Sequence, residues 1–226
     1  MSAEHFVNLD DISLEGEVLD FRFSEIQHEL YAIEQHRLAT EAELPSILET
    51  GRERLQAEVA TDDDPDYVQS ELQSIDSFIN DDMPRFFRYP TLISLWAVYE
   101  AAATEISNEI RKNVGHSLTI EDLRGDKLEK IKKYFEQVLK FPLVSDAQSL
   151  RYLRMLLILR NALAHGNGRE DAIKQSKWEM IQKWNESGIG TEHGFLTFDA
   201  EFVQRMVMVV SASLTDLIER VKNTYD

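Results

Sequence analysis

Residues 150–166 read LRYLRMLLILRNALAHG, and this stretch constrains the fold more than any other. On a helix, where each residue advances by about 100°, Leu153, Leu156, Leu157, Ile158 and Leu159 cover nearly the whole circumference. A helix that is apolar all round has no face to offer water, so neighbouring elements or a partner subunit must enclose it. The rest of the chain is suited to that task. Only nine glycines and five prolines occur in 226 residues, and long segments keep helical spacing, so the sequence predicts an all-α fold.

Local signals place the boundaries. A long helix is expected over about 20–60, bent near Leu44 and Pro45, because proline cannot continue the hydrogen-bond ladder. TDDDPDYVQSEL offers an acidic cap with Pro65 in a first turn, and NDDMPRFF repeats the arrangement with Pro84. The helix that follows, about 84–113, carries Leu92, Leu95, Trp96, Tyr99, Ala103, Ile106 and Ile110 on one stripe, a core face. A basic helix over about 126–140 stops before Pro142. Ser145 and Gln148 form a capping-box pattern for the apolar helix, about 146–165, and Gly166 is expected to end it in the left-handed conformation. A helix near 170–186, a turn or short extended piece at GFLTFD, and a last helix capped by Asp199 and running to about 223 complete the reading.

The net charge of −17 would argue against a nucleic-acid partner if it were evenly spread, because phosphates attract lysine and arginine. It is not evenly spread. Residues 1–82 hold 22 acidic and 4 basic side chains, whereas 83–226 hold 19 and 20. We therefore expect an acidic helical N-terminal extension over 1–82 and a helical bundle over 83–226. Arg124, Lys127, Lys130, Lys132, Lys133 and Lys140, then Arg169, Lys174, Lys177 and Lys183, form either solvated helix faces or a footprint for RNA. An acidic segment could also lie over such a basic face as a mimic of RNA. The absence of cysteine removes disulfides, thiolate nucleophiles and cysteine zinc sites from consideration. The first residues lack the basic flank and apolar core of a signal peptide, and no stretch has the 18 or so apolar residues of a membrane helix, so a cytoplasmic location without membrane contact is expected.

Three strong hydrogen-bonding side chains close the apolar helix. Asn161 and His165, four residues apart, lie about 40° from each other on one face, and Arg160 is offset from His165 by about 140°, a gap its long side chain can span. Burying such groups without partners costs several kcal/mol. They are therefore paired, for instance Arg160 with a carboxylate such as Glu100, or they face a cleft and do chemistry. A second copy of the helix could complete the cluster across a two-fold axis.

RNALAHG, residues 160–166, resembles the R-N-x-x-x-H signature of the HEPN superfamily, small all-helical domains of toxins, abortive-infection proteins and RNA-processing enzymes. FRYPTLISLWAVYEAAATEISNEI resembles the early helix of that bundle, with Glu100 after its aromatic and apolar run, and FLTFDAEFVQRMVMVVSASLTDLIERV resembles the helix that closes it. The likeness spans roughly 84–224 and leaves the acidic third unassigned. It implies a HEPN-like helical bundle that dimerises through the motif helix and cuts RNA without metal or other cofactor, the 2′-hydroxyl attacking the adjacent phosphate. Such a protein would serve as a toxin or an anti-phage effector, held in check by an antitoxin or another defence-system partner. His165 would move protons, since a free imidazole titrates at about pH 6.5. Arg160 would hold the scissile phosphate with its fork of donors, Asn161 would orient, Glu100 would support the site, and Lys130, Lys133 and Arg169 would contact RNA. The chain departs from one HEPN branch, whose regulatory tyrosine stands two residues after the histidine; Asn167 occupies that position here, so control by modifying that tyrosine is not available.

The alternative from another class is a non-catalytic HEPN-like module that binds a nucleotide, RNA or a partner protein. Other motifs are weak. Glu25 and His28 form one Glu-x-x-His, but a di-iron site needs a second such pair. HGNGRE lacks the lysine and preceding strand of a phosphate loop. His116 and His193 read as surface residues, and Trp96, Trp178 and Trp184 as core or interface anchors.

Overall fold

A computed structural model describes residues 17–114, 117–184 and 186–225; the surface reading of His116 lies outside them. Among the described residues the fold is all-α, relieved by one two-stranded antiparallel hairpin. The helices are α1 (Glu17–Val59), α2 (Pro65–Ser77), α3 (Met83–Val114), α4 (Lys127–Lys133), α5 (Ala147–Gly166), α6 (Gln175–Trp184) and α7 (Ala200–Tyr225). The hairpin, β1 (Ile189–Glu192) and β2 (Phe195–Phe198), pairs Ile189 with Phe198 and Glu192 with Phe195. GFLTFD is thus its second strand.

Aspartates start most of these helices. Asp64 accepts from the amides of Asp66 and Tyr67, Asp126 from Glu129, and Asp199 from Phe202 at 2.6 Å, each satisfying amides that the first turn leaves open. The expected cap of α5 needs correcting by one residue: Asp146, not Ser145, accepts from Ser149 N at 2.8 Å and from Ser149 Oγ at 2.6 Å. Pro84 stands in the first turn of α3, as expected, but the acidic residues before it lie in a π-turn, Phe78–Asp82, that joins α2 to α3 without a break. The helix expected near 170–186 is a 3₁₀ turn, Glu170–Ala172, followed by the shorter α6.

The chain forms two compact units, each taking a share of α1, α3, α5 and α7. The first draws on Met1–Ile33, Ser94–Leu157 and Met206–Asp226. Its core holds Trp96, Tyr99, Ile106 and Ile110 from α3, Leu128, Ile131, Tyr134 and Phe135 around α4, Leu153 and Leu156 from α5, and Val210, Leu214 and Val221 from α7. The second draws on Glu34–Ile93 and Ile158–Arg205. Its core holds Ile79, Leu92, Ile158, Leu159, Leu196, Phe202 and Val203. The boundary expected at residue 82 falls inside this second unit. The α3 stripe is buried as its spacing predicts, and the apolar residues of α5 from Tyr152 to Leu163 are buried within a single chain. No helix among the described residues is long and apolar enough to cross a membrane.

Candidate functional site

The last turns of α5 carry the motif, all of it within the second unit. Ile158, Leu159, Ala162 and Leu163 turn inward and are buried, which directs Arg160, Asn161 and His165 toward the surface. Arg160 and Asn161 are half-buried and His165 is exposed. The arginine spans the backbone offset: its Nη1 donates to Asn161 Oδ1 at 3.1 Å and stands 3.4 Å from His165 Nε2. A guanidinium only donates, so this contact suits the imidazole tautomer whose proton is on Nδ1 and whose Nε2 lone pair points at the arginine. Arg160 Nε is buried without a partner among the described residues.

The turn after the motif is built by close approach. Gly166 is not the left-handed residue; Asn167 is, at φ 50°, followed by Gly168 at φ 74°. Asparagine enters this region more readily than most residues with a Cβ, and glycine enters it freely. Gly168 is needed for a second reason, because a Cβ there would fall on the ring of Tyr89. That ring is buried, its hydroxyl donates to the Leu196 carbonyl, and it meets Phe198 edge-on with centroids 5.8 Å apart. Burial pushes the Tyr89 hydroxyl's pKa upward. The backbone closes the arrangement: Gly168 N donates to Ala162 O at 3.0 Å, Leu196 N to Gly168 O at 2.8 Å, and Glu170 N to Gly194 O at 2.9 Å. The hairpin therefore fixes the end of the motif helix. Tyr89 and the Leu196 backbone escape a sequence reading because their roles arise between segments more than a hundred residues apart in the chain.

The other residues expected at the site have partners of their own. Arg169, also in the second unit, makes a two-pronged bond with Asp171 at 3.0 and 2.7 Å. Glu100, Lys130 and Lys133 belong to the first unit. Glu100 is half-buried; it accepts from Trp96 Nε1 at 2.7 Å and lies 3.3 Å from Lys127 Nζ. Lys130 donates to Glu121 at 2.9 Å and Lys133 to the Arg124 carbonyl at 2.8 Å. Hydrogen bonds from Lys127 and Lys130 hold the Glu121 carboxyl down to about 2. Glu25, one half of the single Glu-x-x-His, pairs with Arg22.

No family model, no curated protein and no solved structure matches the chain.

Proposed function

We propose that the chain is a metal-independent endoribonuclease of the HEPN type, acting in the cytoplasm as a toxin or anti-phage effector under the control of an antitoxin or other defence-system partner. One observation carries the reading: a guanidinium stands 3.4 Å from an exposed imidazole at the end of a helix whose middle, Met155 to Leu159, is buried throughout. In the reaction His165 takes the 2′-hydroxyl proton, O2′ bonds to phosphorus, and the P–O5′ bond breaks. The products are a 2′,3′-cyclic phosphate and a 5′-hydroxyl that picks up a proton. Arg160 neutralises charge on the phosphoryl oxygens as it builds. Each chain offers one such imidazole, so a homodimer with two motifs facing one cleft supplies the second proton carrier. The apolar residues of α5 from Tyr152 to Leu163 are already buried, which leaves the motif face, with exposed Ala164 and His165, for that contact.

Purified protein incubated with total RNA in EDTA should yield fragments with cyclic phosphate ends. Replacing His165 by Ala should slow cleavage by about 10²–10⁴-fold, and Arg160→Ala by roughly 10²–10³-fold, with unchanged helical circular dichroism. Absence of cutting by the folded wild-type protein sinks the proposal. A second reading, a module that binds a nucleotide, RNA or a partner protein without cutting, is favoured by a separate observation: Lys130, Lys133 and Arg169 are each engaged inside the chain. Retained RNA binding without cleavage selects it.

A further inference from the structure

The second unit contains a cavity of about 550 Å³ whose lining includes Arg169, Glu170, Ile173, Lys174, Gln175 and Trp178. Its size falls within the roughly 300–1,000 Å³ of sites that hold small ligands. Arg169 is four positions after His165, so their Cα atoms lie at most about 14 Å apart, a reach of one or two nucleotides.

Resting on the ribonuclease reading, we propose that this cavity receives a guanine base next to the scissile phosphate. Two charged residues of its lining, Glu170 and Lys174, have no side-chain partner among the described residues. Opposite charges that line one cavity without pairing are matched by a ligand edge that carries donors and an acceptor side by side. Guanine presents N1–H and N2–H to a carboxylate and O6 to an ammonium; no other common RNA base sets two adjacent donors beside an acceptor. Arg169, held by both oxygens of Asp171, offers a planar guanidinium against which a purine can stack. Ile173 and Trp178 are buried and supply apolar surface, and the indole N–H has no acceptor among the described residues, as in a polar site that its own chain leaves incomplete.

Calorimetric titration of the full chain with the 5′-monophosphates of guanosine, adenosine, cytidine and uridine tests this without reference to cleavage. Guanosine monophosphate should bind at least tenfold more tightly than the other three, and Glu170→Gln should remove that preference. Lys174→Met, at an exposed position, should weaken binding of guanosine monophosphate by about tenfold while melting remains unchanged. Equal affinity for all four nucleotides, or a preference that survives both substitutions, overturns the pocket. Mapped cut sites provide the second arm, with guanine expected beside the cut. Selective binding without any cleavage supports the pocket and sinks the nuclease. Cleavage with no guanine preference in either arm does the reverse.

Discussion

Gly168 and Gly194 have nearly the same backbone conformation, φ 74° and 80°, in very different surroundings. A Cβ on Gly194 would meet nothing within 4 Å, whereas one on Gly168 would enter the Tyr89 ring. Gly194→Ala should therefore cost only the conformational strain, about 1–2 kcal/mol. Gly168→Ala should cost that plus overpacking, roughly 1–3 kcal/mol more. Urea unfolding of both variants checks the difference, and equal losses would remove Tyr89 as the anchor of the motif's end. A sequence reading could find that GNG ends a helix, because both residue types enter the left-handed region. It could not select the left-handed residue, because Gly166 is required by Ala172, onto which its Cβ would fall, and not by its own φ. The motif residues were legible for the opposite reason: Asn161 and His165 are brought together by helical spacing, and Arg160 by a side chain long enough to reach round.

Among the elements, helix interiors could be read from periodicity, while their ends depended on which of several capping residues won. Asp146 and Ser145 are adjacent, and the ionised carboxylate bonds both the amide and the hydroxyl of Ser149, which a serine oxygen could not match. The Asp146 carboxyl is accordingly held below its ordinary range. The turn before α4 is more strongly charged. Two lysines hold Glu121 at about 2 against an ordinary 4.5, so the folded state binds this proton less readily than the unfolded one. Its contribution is present in full above about pH 4.5 and is lost as pH falls toward 2. Glu121 is exposed to solvent, so the contribution is small. Glu121→Gln should lower stability modestly at pH 7, and the gap between variant and wild type should close as pH falls from 5 toward 3. A gap constant with pH would show that the lysines contribute nothing through this carboxylate.

For the whole molecule, charge suggested a division that packing does not follow. Acidity concentrates before residue 83, yet that segment places Phe23, Ile26 and Leu30 in the core of the first unit and Leu44, Ile75 and Ile79 in that of the second. This was hard to see in the sequence, because after Phe23, Ile26 and Leu30 the buried stripe of α1 thins to Arg37 and Leu44, one residue every two turns, too sparse to stand out in a polar helix. Arg37 interrupts the apolar pattern, and its guanidinium is bonded through Nε and Nη2 by Glu34 at 2.7 Å. In the second unit Glu41 grips Arg88 at 2.8 and 2.9 Å, and Arg88 also donates to the Phe198 carbonyl at 2.7 Å, two residues beyond the strand position that anchors Tyr89. An acidic segment that served only as a mimic of RNA could be removed without loss of fold. This one could not: six buried apolar side chains at about 1.5–3 kcal/mol each equal or exceed the roughly 5–15 kcal/mol by which whole domains are stable. A fragment of residues 83–226 should therefore show no cooperative unfolding transition and should elute as an expanded or aggregated species. The double charge reversal Glu41→Arg with Arg88→Glu should retain the fold that Glu41→Arg alone weakens. A monomeric fragment with a sharp melt would mean that the first third is a removable cover and that its buried residues are dispensable.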